Sequence, residues 1–279
     1  MLAGAVGCVC VQQNNRGYST LMGETVIVRE APEDRRSWNW GERAKYYLGR
    51  YGVWPTVARA IGGRWPQFWH WMGGVATKDY LRDWLRGDGE KILNLGGGGN
   101  VRSYWLTADV DPHADVYLDI SRRLPIPSDS VDGVFLEEVI EHVPFEAGRK
   151  LLVECKRILK PGGWIRLSTP DPEWLVRVGS DESPTQSQFA IREAERFFGR
   201  RVESAGLIGL ALLNLSIYSH GHCCIYTWGA LRSLLDSVGF HAVVRSCYRD
   251  SSSVGGKYDS HADRFNHEPE LSLYVEARA

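Results

Sequence analysis

The amino-acid sequence predicts an α/β fold, in which a mostly parallel sheet follows a helical, tryptophan-rich extension. After residue 88, short apolar runs alternate with stretches of helical spacing. The first of these runs ends in four consecutive glycines, Gly96–Gly99. Short strands alternating with helices are typical of a parallel sheet that binds ligands at the carboxyl ends of its strands.

The composition limits the possible functions. The chain has 279 residues, of which 43% are hydrophobic, and 33 Lys and Arg stand against 34 Asp and Glu. These values indicate one large domain with an extension, and they exclude a disordered chain or a broad basic surface for long nucleic acid. The six cysteines form no CxxC pair, which leaves zinc-ribbon and thioredoxin-type sites without support, so we expect a cytoplasmic protein. The apolar run at residues 206–217 is too short to span a membrane.

Three segments are expected along the chain. Residues 1–22 are expected to form a tail without order, residues 23–87 a helical cap, and residues 88–279 the main domain. Seven of the eleven tryptophans precede residue 85, and residues 43–86 hold eight Lys or Arg against two Asp. This basic, aromatic cap suits a substrate lid, a membrane-surface element or a nucleic-acid contact, and it equally suits a layer packed on the core.

The elements of the main domain follow in order. Strands are predicted at residues 91–95, 106–110, 116–118, 131–136 and 164–168, and helices at 137–143 and 147–159, with a turn at 160–163. Asp109 comes only ten residues after Gly99, so the helix between the first two strands is missing or reduced to a turn. That spacing counts against a dinucleotide pyrophosphate site, which needs a full helix there.

Six motifs occur in a fixed order after residue 90. They are Leu93–Gly99 (LNLGGGG), Ala108–Pro112 (ADVDP), Leu118–Ile120 (LDI), Leu124–Pro127 (LPIP), Val139–His142 (VIEH) and Arg157–Gly163 (RILKPGG). Together they resemble the class I S-adenosylmethionine-dependent methyltransferases, in the branch that reads LNLGSG, VDIDP, LPF, EH and RVLKPGG. The resemblance covers about residues 90 to 175, and residues 228–240 and 268–276 resemble the last helix and closing strands. It implies a Rossmann-like sheet with an antiparallel last strand.

The resemblance also implies a set of cofactor contacts for S-adenosylmethionine. Gly96 and Gly98 would pass under its amino-acid part, Asp109 would bind the ribose hydroxyls, and Asp119 with the Ile120 amide would read the adenine edge. Asn94 stands where the family usually has an acidic residue, and Asp111 competes with Asp109. The full predicted set is Asn94, Gly96, Gly97, Gly98, Asp109, Asp111, Asp119, Ile120 and Glu137.

A second constellation follows the fourth strand. On a helix, Glu138, Glu141 and His142 would share one face, at the mouth of the cofactor site. This ExxEH spelling resembles ubiquinone-pathway O-methyltransferases and small-RNA 2′-O-methyltransferases, where it binds metal, and His222 fits the place of the fourth ligand. The predicted metal set for Mg²⁺ or a similar cation is therefore Glu138, Glu141, His142 and His222. Alternatively, His142 acts as a general base and Glu141 only orients its surroundings.

The expected function is O-methylation of a hydroxyl on a small molecule, glycan or lipid-linked acceptor, with Glu141 and His142 as the catalytic residues. Nucleic acid is not an expected partner, whereas peripheral membrane contact remains open. Two alternatives stay open as well: RNA 2′-O-methylation, which shares ExxEH and the distal histidine, and a non-catalytic subunit that keeps the fold.

Overall fold

The computed structural model describes residues 77–180, 187–250 and 252–279, together with the backbone of two short strands, β1 (Thr20–Leu21) and β2 (Glu24–Thr25). The chain divides into two compact units, residues 1–32 and 33–279, and β1 and β2 form an antiparallel pair in the first. The predicted tail and most of the predicted cap lie outside the described residues, as do all tryptophans of the cap except Trp84.

The second unit is built on a seven-stranded sheet. Its strands are β3 (Ile92–Leu95), β4 (Leu106–Asp109), β5 (Val116–Tyr117), β6 (Val131–Glu137), β7 (Leu159–Pro170), β8 (His241–Ser246) and β9 (Ser272–Arg278). The strand order is β5-β4-β3-β6-β7-β9-β8, and β9 runs antiparallel to both of its neighbours while the other pairs are parallel. The predicted fold class, a mostly parallel sheet with an antiparallel last strand, is confirmed.

Seven α-helices lie within the described part of this unit. They are α1 (residues 77–86), α2 (Phe145–Ile158), α3 (Pro172–Ser180), α4 (Gln188–Phe198), α5 (Ala205–Tyr218), α6 (Trp228–Ser237) and α7 (His261–Phe265). Residues 96–105, between β3 and β4, contain turns and no helix, as the short spacing predicts. None of the described helices is both long and apolar enough to cross a membrane.

The predicted helix at residues 137–143 is wrong. Strand β6 continues through Glu137, which pairs with Ser168 of β7. Glu138 then adopts a left-handed backbone with φ of 56°, and only a single 3-10 turn follows, at Ile140–His142. Because a residue with positive φ cannot continue a right-handed helix, the ExxEH residues do not lie on one helical face.

The predicted turn at residues 160–163 is an irregularity within β7. Leu159 pairs with Val131, but the next pair of the ladder joins Trp164 to Gly133, so the β7 side carries extra residues. Gly162 there has φ of 78°, and its amide donates to the carbonyl of Ala279. Glycine is needed at this position because a left-handed backbone strains other residues.

The two faces of the sheet are covered differently. One face packs leucine and isoleucine side chains against α2 and α6, which contribute Leu152 and Leu235. The other face carries an aromatic cluster of Trp105, Phe135, Trp164 and Tyr258. Phe135 and Trp164 lie in β6 and β7, and Trp105 directly precedes β4. Tyr258 belongs to the segment between β8 and β9. This segment therefore covers the face of the sheet that a helix between β3 and β4 would otherwise cover.

A buried ion pair attaches the β8–β9 segment to the sheet. Arg166 of β7 is fully buried, and Asp259 is 2% exposed. The guanidinium Nε donates to Oδ1 of Asp259 over 2.8 Å, and further bonds run to the Ser253 hydroxyl and the Cys247 carbonyl, each at 2.9 Å. The guanidinium is therefore hydrogen-bonded on several sides, which buried charge requires.

Helices α3, α4 and α5 form an insertion with a core of its own, between β7 and α6. Helices α3 and α5 approach closely at Gly179 and Gly209, where a Cβ on Gly209 would lie 2.1 Å from the Gly179 Cα. The insertion begins directly after β7, and His222 lies in the segment that connects its last helix to α6. It therefore stands at the edge where the parallel strands end.

Replacing Asp259 by Asn should destabilise the protein by about 3–5 kcal/mol, because Arg166 would remain buried without its counter-charge. Urea denaturation followed by circular dichroism measures this loss. The matched control is Asp79→Asn, since the Asp79–Arg82 pair is 75% and 53% exposed and should contribute little. Equal effects of the two substitutions would contradict the importance of the buried pair.

Candidate functional site

A glycine loop follows β3 at the carboxyl edge of the sheet. Gly96 and Gly98 have positive φ values of 71° and 52°. A Cβ on Gly97 would lie 2.1 Å from Nδ2 of Asn94, so only glycine fits there. Asn94 is buried beneath the loop, where its Nδ2 donates to the carbonyl of Asn100 over 3.3 Å. Asn94 thus supports the loop from below.

Asp109 connects the glycine loop to the end of β4. Its Oδ2 accepts from the Gly98 amide at 2.7 Å, and its Oδ1 accepts from the Asp111 amide at 2.9 Å. Burial raises the pKa of Asp109, although these amide bonds oppose the rise. Asp111 instead holds His113, whose amide donates to Oδ1 over 2.8 Å. Of the two carboxylates, Asp109 is thus the one bonded to the loop.

Asp119 and Ile120 follow β5 at the same edge. The Asp119 Oδ1 accepts from the amide and hydroxyl of Ser121, at 3.0 and 2.6 Å, and its Oδ2 lies 3.0 Å from Arg122. Carboxyl ends of parallel strands meet at one edge, so the residues predicted from three separate motifs form a common rim.

Glu137, a predicted cofactor contact, is bonded to the segment that begins α7. Its buried carboxylate accepts from the Ser260 and His261 amides at 2.6 and 2.8 Å, and from the Ser260 hydroxyl and Arg264 at 2.9 and 3.0 Å. Four donors occupy both oxygens. The geometry therefore favours a role for Glu137 in anchoring the start of α7.

Glu138 is not one of the residues whose ligand atoms converge, although it lies close enough to Glu141 to raise its pKa. Its Oε1 accepts from the Ser168 hydroxyl at 2.9 Å. Burial raises the pKa of Glu138 to about 7, although hydrogen bonds from Ser272 and Ser168 act to lower it. The left-handed backbone turns this side chain toward β7, which sequence spacing could not predict.

Glu141, His142 and His222 do come together. One ligand atom from each lies within 4.8 Å of the others, and Nε2 of His142 is 3.9 Å from Oε1 of Glu141. Glu141 is fully buried, yet neither of its oxygens has a partner of hydrogen-bonding geometry among the described residues. Three of the four predicted ligands therefore form one cluster, which we call the EHH cluster.

The segment that carries His222 is attached to Glu141 through its backbone. The amides of Cys223 and Cys224 donate to the Glu141 carbonyl, at 2.7 and 3.1 Å. The ring Nδ1 of His222 lies 2.6 Å from the Ser216 carbonyl. A carbonyl only accepts, so Nδ1 carries the proton and Nε2 has its lone pair free. Cys223 itself is exposed.

Two further polar groups near Glu141 were not predicted from the sequence. The Thr169 hydroxyl interacts with Glu141, and the Tyr226 phenol lies within its electrostatic reach. Both oxygens are buried without a hydrogen-bond partner in the described part of the chain. Gly148 makes room for Tyr226, because a Cβ there would lie 2.7 Å from the phenol oxygen. The only sequence signal was that Tyr226 closely follows His222.

Comparison with known proteins finds a similarity to methyltransferases. A family model described as a methyltransferase domain matches residues 104–167, which include Asp109, Asp119, Glu141 and His142. The predicted resemblance to the class I methyltransferases is confirmed. No curated protein sequence matches the chain.

Several solved methyltransferase structures are similar to the chain. One from Archaeoglobus fulgidus is 14% identical, covers 84% of this chain and 99% of its own, and has a TM-score of 0.41. One from Mesorhizobium loti is 21% identical, with coverages of 72% and 96% and a TM-score of 0.36. The Haemonchus contortus phosphoethanolamine N-methyltransferase 2, in complex with S-adenosyl-L-methionine, is 13% identical, with coverages of 84% and 59% and a TM-score of 0.38. These overlaps are loose, so the methyltransferase fold rests on the strand order and the matched segment.

The protonation states of the EHH cluster leave its two imidazole rings with free lone pairs. Burial, and after it Glu138, raises the pKa of Glu141 well above its ordinary value. Burial, together with His222 and His220, lowers the pKa of His142, and burial also lowers that of His222. Both imidazoles are therefore neutral at pH 7, while the carboxyl group of Glu141 keeps its proton to a higher pH than an ordinary glutamate does.

In the presence of a chelator, the contribution of Glu138 and Glu141 to the stability of the protein should fall as the pH rises from about 4.5 through 7, against the opposite effect of His142, His222 and His261. The sign follows because Glu138 and Glu141 have folded pKa values above the ordinary value, so the unfolded state releases these protons first. Glu141→Gln should reduce this decline in melting temperature, measured by calorimetry at each pH. Exposed Glu146→Gln is the control, and parallel profiles for wild type and Glu141→Gln would contradict the assignment.

Proposed function

We propose that the protein is an S-adenosylmethionine-dependent O-methyltransferase acting on a hydroxyl of a small molecule, glycan or lipid-linked acceptor. The observation that carries this proposal is the EHH cluster, which lies just after β6 at the carboxyl edge of a methyltransferase sheet. Its neutral imidazoles and buried carboxyl suit the handling of a hydroxyl proton.

The glycine loop fits the methyl donor. Gly97 has no space for a Cβ, and Gly96 and Gly98 have backbones that allow close approach from above. Asp109 borders this loop, and Asp119 and Ile120 follow on the same rim. These residues would bind the amino-acid part, the ribose and the adenine of the cofactor in that order along the edge.

The transfer itself needs positioning and the removal of one proton. As the hydroxyl oxygen bonds to the methyl carbon, the bond from carbon to sulfur breaks and the positive charge on sulfur disappears. The hydroxyl proton must leave, and neutral His142 offers a lone pair to receive it. His222, with its proton fixed on Nδ1, offers a second lone pair.

The EHH cluster also fits a divalent cation. The donor set is two imidazoles and a carboxylate, and the unpartnered oxygens of buried Glu141 match what a cation would satisfy. The Ser216 carbonyl holds the His222 ring as an outer-shell partner does in metal sites. A bound cation would lower the pKa of the acceptor hydroxyl. Glu141, His142 and His222 would hold it.

The surroundings of the cluster favour an organic acceptor over RNA. From Ala205 to Leu231, 27 residues contain no Lys, Arg, Asp or Glu. Exposed apolar side chains are present instead: Tyr218 is 81% exposed, and Phe145, which stacks on Tyr226, is 47% exposed. RNA binding relies on Lys and Arg contacts to phosphate, whereas this rim suits an aromatic or aliphatic body.

Binding and turnover should separate in variants of the two regions. S-adenosylhomocysteine should bind the wild type in calorimetry, and Asp109→Ala should weaken binding. Glu141→Gln and His142→Gln should reduce methyl transfer by about 100-fold or more while leaving this affinity nearly unchanged. Transfer is read as a mass increase of one methyl group across phenolic, glycan and lipid-linked hydroxyl acceptors.

The control is His241→Gln, because His241 is an exposed histidine on β8. This variant should retain both cofactor binding and methyl transfer. If the wild type fails to bind S-adenosylhomocysteine, the cofactor assignment is wrong. If Glu141→Gln and His142→Gln lose cofactor binding instead of turnover, the EHH cluster is misassigned.

Mn²⁺ should raise the melting temperature of the wild type, because a ligand that binds only the folded state stabilises it. His222→Gln should remove this rise, and His241→Gln should keep it. Turnover should be lost on exhaustive chelation and restored by added cation. Turnover that survives chelation would reject the cation and leave His142 as the base.

A further inference from the structure

The start of α7 connects the glycine loop to the end of β6. The Ser260 hydroxyl donates to Glu137 over 2.9 Å and accepts from Nδ2 of Asn100 at 3.3 Å. Asn100 is the residue directly after the four glycines, and Glu137 is the last residue of β6. The segment between β8 and β9 therefore stands at the amino-acid end of the predicted cofactor site, where the fold lacks a helix after β3.

His261, the next residue, is held by a second histidine. Its Nδ1 lies 2.7 Å from Nε2 of His267, and the Nδ1 of His267 lies 2.9 Å from the Glu268 carbonyl. The carbonyl accepts only, so the Nδ1 of His267 carries a proton, and in the neutral ring its Nε2 is then an acceptor. The Nδ1 of His261 must then be the donor. In a neutral ring this leaves the Nε2 of His261 with a lone pair, and no residue of the described segments donates to it.

The surroundings of His261 keep its ring neutral. Burial lowers its pKa to about 3, and the neighbouring His267 and Arg264 act in the same direction. The ring also packs on Phe265, with centroids 4.6 Å apart. His261 therefore has a fixed position and a fixed tautomer, so its Nε2 is an acceptor at any pH near neutrality.

We propose that Nε2 of His261 accepts a hydrogen bond from the α-ammonium group of the bound cofactor's amino-acid part. This proposal rests on the proposed function. The ammonium needs an acceptor near the glycine loop, and Asn94, in the usual acidic position of the first motif, is uncharged and buried beneath that loop. His261 offers a lone pair from the segment that bonds to Asn100 at the end of this loop, and its amide donates to the carboxylate of Glu137.

The test compares two nucleosides that differ in the amino-acid part. S-adenosylhomocysteine carries the ammonium group, whereas 5′-methylthioadenosine does not. His261→Phe keeps a ring against Phe265 but cannot accept a hydrogen bond. We expect it to weaken S-adenosylhomocysteine binding by roughly 10- to 100-fold, as for a hydrogen bond to a charged group, and to leave methylthioadenosine binding unchanged.

Two further variants separate recognition from structure. His261→Gln places an amide oxygen near the position of Nε2 and should recover most of the affinity. Exposed His241→Phe on β8 should bind both nucleosides like the wild type. Equal losses for both nucleosides in His261→Phe, or no loss for either, would overturn the proposal. Failure of the wild type to bind S-adenosylhomocysteine would instead overturn the proposed function.

A measurement on the wild type covers the case in which His261→Phe does not fold. Long-range ¹⁵N–¹H spectra should show His261 as the neutral tautomer protonated at Nδ1. Its Nε2 resonance should shift on addition of S-adenosylhomocysteine and not on addition of methylthioadenosine. A proton on Nε2, or equal shifts with both nucleosides, would contradict the proposal.

Discussion

The structure depends on one buried ion pair, between Arg166 in the middle of β7 and Asp259 in the segment before α7. The two residues are 93 positions apart and both are almost fully buried. A sheet of this kind normally has helices on both faces, but here the link between β3 and β4 is too short for one. The ion pair holds the β8–β9 segment on that uncovered face, and Tyr258 then packs with Trp105, Phe135 and Trp164.

The position of this segment has consequences at the edge of the sheet. Directly after Asp259, Ser260 and His261 donate to Glu137, and Ser260 also reaches Asn100. The glycine loop is thereby supported from two directions, by Asn94 below and by the α7 segment beside it. A loop that would otherwise lead into a helix is fixed by hydrogen bonds from residues far away in the sequence. Such fixed positions are what a site needs to bind a cofactor without reorganising.

The EHH cluster forms by a second long-range contact, between the 3-10 turn after β6 and the end of the helical insertion. The insertion has its own core, and its last helix, α5, anchors the His222 ring through the Ser216 carbonyl. The backbone of Cys223 and Cys224 then fixes this segment to Glu141. The insertion therefore ends in an uncharged, partly exposed helix that leads directly to the third residue of the cluster.

The sequence by itself determined strands β3 to β7, the helix α2 and the absence of a helix after β3, since these follow from local periodicity and spacing. The ordered motifs also predicted Gly96–Gly98 and Asp109 as cofactor contacts, and the ExxEH resemblance predicted Glu141, His142 and His222 as ligands. Only the tertiary structure decided that Glu138 bonds to Ser168 and is not part of the EHH cluster, that Glu137 binds the α7 segment, and that Thr169 and Tyr226 lie near Glu141. The reason is physical: a single left-handed residue redirects a side chain, and the partner of a buried charge such as Arg166 lies at a sequence distance that no local pattern encodes.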